Sequence, residues 1–211
     1  MAEGYKTLDG EGNFILTDRR SRFIAHAARV TDADEALAFV ASEKEKYPDA
    51  SHCCWAFSIK QGGLCRFTDA GEPSGTAGSP ILEVLTRSGI YDAVITVTRY
   101  FGGTLLGTGG LVHAYSGAAA GAVKDAGTAM MVPCADYMLS YDYKYIDGIS
   151  RILNERGAVV TSVDYGGQVT LSFRIRENDA ESVLASITDL TGGKCEDLLL
   201  ETGLYPMPVE E

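Results

Sequence analysis

The sequence predicts an α+β protein of two domains, and three observations lead there. Between residues 135 and 201 the apolar periodicity switches in regular order between that of a strand and that of a helix. A glycine-rich stretch comes before it, with 12 of the 24 glycines falling between Gly62 and Gly117. The 211 residues, 45% of them hydrophobic, suffice for two modest cores.

The N-terminal elements follow in order. Phe14–Leu16 and Arg22–Val30 read as strands, and Thr31 is expected to cap a helix that runs to about Tyr47, with Asp34 completing a short capping box and Pro48 as the stop. Ser51–Ile59 and Leu64–Thr68 form a hairpin around Gln61-Gly62-Gly63. Ser79-Pro80 reads as an N-cap followed by proline at the first helical position, and Gly89 ends that helix. Ala93–Thr98 is a buried strand that delivers the chain into the loop Arg99–Gly109, and a helix of small residues runs from about Gly110 to Ala126.

The C-terminal elements are more regular. Ala135–Tyr143 alternates as a strand, and Lys144–Arg156 places Ile146, Ile149, Ile152 and Leu153 on one helical face, with Gly157 as its stop. Ala158–Tyr165 and Gln168–Arg176 are strands joined by Gly166-Gly167, expected to take the positive φ angles of a tight turn. A helix over Asn178–Thr191 ends at Gly192-Gly193, and Lys194–Glu201 closes as a strand. This βαββαβ order is the ferredoxin-like split unit. The boundary is placed near Val132–Asp136, where Pro133 interrupts the pattern, giving domains 1–133 and 134–211.

Composition narrows the function. No apolar run approaches the roughly 20 residues that cross a bilayer. The opening MAEGYKTLDGEGNF carries neither a basic nor an apolar signal segment, so a cytosolic protein is expected. Five cysteines without a CxxC pair point to free, buried thiols and to no metal site or cofactor. The formal charge of -11 opposes broad nonspecific nucleic-acid binding. Residues 1–134 carry only -3 of it (12 Lys+Arg, 15 Asp+Glu), which leaves room there for a local basic patch.

Two loops concentrate the chemistry, DAGEPSGTAGSP (69–80) and RYFGGTLLGTGG (99–110). The second leaves a strand and enters a helix, a setting that favours an anion. The P-loop lysine is missing after Gly107, and the dinucleotide fingerprint fails at Val112. Asp69 and Glu72 are either a carboxylate pair that works on a ligand or, more simply, a cap for backbone N–H groups and a partner for an arginine. His52 and Cys54 share a strand face, but no GxSxG elbow accompanies them. Arg99, Tyr100 and Phe101 are residue types that contact phosphates and stack on bases. The alternative is that Phe101 fills the core and Arg99 forms an internal ion pair.

The stretches SRFIAHA (21–27), DAGEPSGTAGSPIL (69–82) and VTRYFGGTLLGTGGLVHAY (97–115) together resemble the signature of the YigZ/IMPACT family. The resemblance implies an N-terminal domain like ribosomal protein S5 domain 2, followed by a ferredoxin-like domain. It also implies regulation of translation, since the eukaryotic members act as translational regulators. The motif match carries over Asp69, Glu72, Ser74, Thr76, Arg99, Tyr100, Gly102, Gly103, Gly107, Gly109 and Gly110 as the surface-defining set, to which His113 is added as a ligand-binding candidate. This chain departs from the family pattern at His113, commonly arginine, and at Leu106, often lysine; both changes remove positive charge beside the glycine loop.

The expected function is therefore a non-enzymatic regulator associated with translation, binding RNA, the ribosome or a regulatory protein through the two glycine-rich loops. The rival readings are a small-molecule or phosphoester enzyme that uses the anion-friendly loop, and a protein-only adaptor.

Overall fold

The computed structural model describes residues 4–208, and contacts within the chain divide them into two units. One comprises residues 5–131 with 206–208, and the other Gly4 with Val132–Tyr205.

The first unit is built on a five-stranded antiparallel sheet. Its strands are β2 (Gly12–Asp18), β3 (Ser21–Arg29), β4 (His52–Ile59), β5 (Leu64–Thr68) and β6 (Ala93–Tyr100), in the order β2-β3-β6-β4-β5. A short leading strand, β1 (Tyr5–Leu8), pairs outside this sheet with the start of β7 (Thr128–Tyr141). Three helices belong to the unit: α1 (Ala33–Lys46), α2 (Gly78–Ser88) and α3 (Gly107–Ala126). Strand β6 sits at the centre with seven consecutive buried residues, because helices cover both of its faces.

One face carries Phe23, Ala25, Ala27, Cys54, Ala56, Ile95 and Val97 against α2 and α3. The other carries Val94, Phe57 and Ile59 against Ala36 and Val40 of α1. Helix α3 is rich in alanine and glycine because the sheet approaches it closely. A Cβ on Gly12 would stand 2.1 Å from the Ala122 carbonyl oxygen, and one on Gly121 would strike the Phe14 ring at 2.3 Å.

The second unit has the expected βαββαβ order. After β7 come α4 (Ile146–Glu155), β8 (Val159–Tyr165), β9 (Val169–Arg176), α5 (Glu177–Thr191) and β10 (Glu196–Pro208). Strand β9 lies between β7 and β8, and β10 pairs with β7, which gives the ferredoxin-like arrangement. Its alternating burial sends Val169, Leu171, Phe173 and Ile175 into a core shared with Ile149, Leu153, Val183 and Ile187 of the two helices. The fold is thus α+β, an S5 domain 2-like unit and a ferredoxin-like unit.

Several local expectations are corrected. The cap of α1 is Asp32, whose carboxylate accepts from the N–H groups of Asp34 and Glu35, while Thr31 is tied to Glu35 instead. Pro133 does not break the chain: β7 runs through it, and it falls between the ladder to β1 at Thr128–Met131 and the ladder to β9 at Cys134–Tyr141. Neither of those ladders asks an N–H of it. Gly166 and Gly167 do not take positive φ; the left-handed glycines of this unit are Gly157, Gly192 and Gly193, all at helix ends. β10 extends seven residues beyond the expected Glu201. Of the five free cysteines only Cys54 and Cys134 are buried, and Cys65 is exposed on β5, an edge strand.

Candidate functional site

The two glycine-rich loops meet at one end of the first sheet. Strand β5 ends at Thr68, and the chain folds into a tight loop held by the Asp69 carboxylate. Its Oδ2 accepts from the Gly75 N–H (2.8 Å), and its Oδ1 accepts from those of Ala77 (3.0 Å) and Gly78 (2.8 Å). Asp69 therefore caps α2 from nine residues upstream, in the role expected of Ser79. The helix begins at Gly78, so Ser79 and Pro80 lie within its first turn. Burial opposes ionisation of Asp69, and the three N–H groups outweigh it, holding the carboxyl below its ordinary range. Thr76 closes the same loop through its hydroxyl, which donates to the Pro73 carbonyl at 2.6 Å.

The loop presents Glu72 to the strand face of Arg99. Arg99 Nη1 donates to Glu72 Oε1 at 2.6 Å, Tyr115 O–H donates to the same oxygen at 2.7 Å, and Arg99 Nη2 reaches Ser21 Oγ at 3.4 Å. The guanidinium lies 5.5 Å from the ring centres of both Phe23 and Phe101. Arg99 is 5% exposed, and among the described residues its buried Nε has no hydrogen-bond partner. The expectation of an arginine exposed to a partner is therefore corrected: Arg99 is an internal ion pair that ties the two loops together. Phe101, in contrast, is 48% exposed rather than a core residue.

Tyr100 points to the opposite face of β6, where its hydroxyl donates to Asp49. Gly102 is where two backbones touch, since a Cβ there would stand 2.1 Å from the Arg20 carbonyl carbon. Its N–H and that of Phe101 are held by Ser21 Oγ and Ser51 Oγ. Gly103 and Gly107 take positive φ (80° and 74°), whereas Gly109 faces open space and Gly110 packs on Leu106. Ser74 is exposed in the first loop, and His113 is exposed on α3. The set thus divides: Asp69, Glu72, Thr76 and Arg99 form the frame, and Ser74, Gly103, Gly107, Gly109 and His113 lie at the surface.

The sequence reading passed over two features. The β2–β3 hairpin turns on Arg19 and Arg20, both with positive φ (42° and 69°). This tip lies against the glycine loop, with Arg19 Nη1 reaching the Leu105 carbonyl at 3.4 Å. Arg22 stands across from Tyr100 in the β3–β6 ladder, and all three arginines are exposed. The run RRSR was the available signal.

The second is a cavity of about 430 Å³, walled by Pro73, Phe101, Leu105, Leu106 and Leu111 and reached by His52, Glu72, Arg99 and the start of α3. His52 Nδ1 lies 3.0 Å from the Ala70 carbonyl and Nε2 3.9 Å from Glu72 Oε1. The neighbouring Cys54 donates to the Asp69 carbonyl, and burial pushes its thiol up to about 12, which disfavours the thiolate at neutral pH. Among the described residues no group of three or more His, Cys, Asp or Glu is placed to hold a metal, and no helix is long and apolar enough to cross a membrane.

Residues 19–123 match the model of the Impact N-terminal domain, and residues 139–194 match a Domain of unknown function (DUF1949). The Escherichia coli (strain K12) protein "IMPACT family member YigZ" is 34% identical over 186 residues, covering 87% of this chain and 91% of the relative. The chain belongs to the IMPACT family. A solved structure described as that of a hypothetical protein has 32% identity and a TM-score of 0.60, covering 95% of this chain and 99% of the other. The Saccharomyces cerevisiae "Protein IMPACT homolog" is 34% identical over 102 residues, which is 46% of this chain and 40% of that one. The IMPACT match to the yeast protein is thus confined to part of each chain, whereas YigZ aligns along most of its length.

Proposed function

We propose that this IMPACT family member is a cytosolic, non-enzymatic regulator associated with translation that contacts RNA with the end of the first sheet where the glycine loops meet. The observation that carries the reading is the set of exposed arginines at this end of the sheet, Arg19 and Arg20 on the turn that meets Gly102 and Leu105 and Arg22 across from Tyr100, together with the half-exposed Phe101. Guanidinium groups on a rigid turn neutralise phosphates, and an exposed ring gives a base a face on which to stack. The frame beneath is stiff, because the Glu72–Arg99 pair and the Ser21 and Ser51 hydroxyls fix both loops. The link to translation rests on the family, whose eukaryotic members the sequence resemblance connects to translational regulation. The chain's acidity is concentrated in residues 135–211, so the arginine turn lies in the part of the sequence with the lower charge excess.

The test is binding of the full chain to single-stranded RNA and to ribosomes across a salt series. Each phosphate contact contributes about 0.7 to the slope of log affinity against log salt. Arg19→Gln with Arg22→Gln lowers that slope by roughly one to two. Absence of RNA and ribosome binding at low salt overturns the reading.

A further inference from the structure

We propose that the cavity between the Glu72 loop and the start of α3 binds a small amphiphilic molecule: an apolar body carrying a hydrogen-bond-donating head, either ammonium or hydroxyl. At about 430 Å³ the space falls within the range of small-molecule sites, roughly 300–1,000 Å³. This site adjoins the proposed RNA surface and shares Phe101 with it, but Arg19, Arg20 and Arg22 do not line it.

The polar wall sets the head. A carbonyl oxygen can only accept, so the contact between His52 Nδ1 and the Ala70 carbonyl assigns the ring proton to Nδ1. In the neutral form of the ring, Nε2 is a bare acceptor, 3.9 Å from Glu72 Oε1, a second acceptor. Oε1 already receives Arg99 and Tyr115, and among the described residues no hydrogen bond reaches Glu72 Oε2. Two acceptor groups side by side on one wall are complementary to a donor, and an ammonium or hydroxyl satisfies both. A carboxylate in the same position would set acceptor against acceptor.

The apolar wall sets the body. Leu106 and Leu111 are buried, but Phe101 and Leu105 stand at the mouth 48% and 81% exposed, an unusual amount of large apolar surface left in water around one opening. An aromatic or branched aliphatic body in contact with them removes that surface from solvent. At the start of α3, Gly107 adds no side chain to the cavity wall, and Thr108 and Leu111 line it.

The experiment titrates the ¹⁵N-labelled full chain with phenethylamine, phenethyl alcohol and phenylacetate, which share one body and differ in the head. Amide shifts of Gly107, Thr108 and Leu111 are followed. The amine and the alcohol are expected to give saturable shifts, and phenylacetate to bind about tenfold more weakly or less. Leu105→Ala removes an exposed wall without touching the core, and is expected to weaken the amine about tenfold. His52→Phe keeps a ring in place without the acceptor and is expected to weaken it by about as much. If His52→Phe fails to fold, Leu105→Ala still decides the matter. The proposal is overturned if no probe gives saturable shifts, if phenylacetate binds as well as the amine, or if Leu105→Ala leaves the amine's affinity unchanged.

Discussion

Glu72 and Arg99 meet at 2.6 Å with both side chains almost sealed from solvent, joining the loop after β5 to the end of β6. Removing one partner of such a pair strands a buried charge, at a cost of about 3–5 kcal/mol. We expect Glu72→Ala and Arg99→Ala each to lower unfolding free energy by that order, and the double change Glu72→Ala with Arg99→Ala to cost less than the sum of the single changes. Urea denaturation of the four proteins measures the coupling, and strict additivity would show that the pair is not the tie between the loops.

Asp69 is the second anchor. Asp69→Ala strips three N–H groups of their acceptor, and a loss of about 2 kcal/mol is expected, at the upper end for a helix cap. The folded carboxyl is held below its ordinary range, so its contribution is present above about pH 3.9, the unfolded value, and is lost as pH falls through the lower folded value. Melting temperature followed from pH 6 down to pH 3 should therefore fall less steeply in Asp69→Asn than in the parent chain.

Two glycines of the stretch 99–110 should respond in opposite ways. A Cβ on Gly102 would collide with the backbone of Arg20 and Ser21, and Gly102→Ala is expected to cost more than about 3 kcal/mol, since neither backbone can give way. Gly109 lies in α3 with nothing within 4 Å, and Gly109→Ala is expected to stabilise by up to about 1 kcal/mol. Thermal melts of the two variants suffice, and similar destabilisation by both would contradict the packing described.

Thiol reactivity should sort by burial. Cys65 is exposed, whereas desolvation raises the thiols of Cys53, Cys54 and Cys134, and that of Cys195 to about 11. Brief alkylation of the folded protein at pH 8 is expected to label Cys65 first. Peptide mapping that found Cys54 modified earlier would mean that the loop over it opens readily.

The periodic elements were legible in the sequence because their burial is one-sided or complete: the alternation of β9 and the β-branched run Ala93–Thr98 of β6 read directly. Four-residue β1 was not legible, since its partner lies more than a hundred residues away and nothing local marks it. The cap of α2 failed for a related reason. A serine beside a proline is the nearest candidate in sequence, but Asp69 reaches the same N–H groups through a folded loop. At the site, the motif residues were found, but four of them, Asp69, Glu72, Thr76 and Arg99, turned out to be frame. Arg99 in a list of residue types looks like a contact, and only the position of Glu72 makes it an internal tie. The cavity, assembled from His52 through Leu111, has no signature within any one segment.

The hairpin tip at Arg19-Arg20 keeps two side-chain-bearing residues in left-handed backbone, where asparagine and glycine would sit with less strain. A chain selected only for durability would be expected to lose those arginines. Exchanging them for Asn-Gly should therefore yield a sturdier protein with a blander face, and the two effects, appearing together, would reveal how much conformational comfort this molecule forgoes to hold charge at that corner.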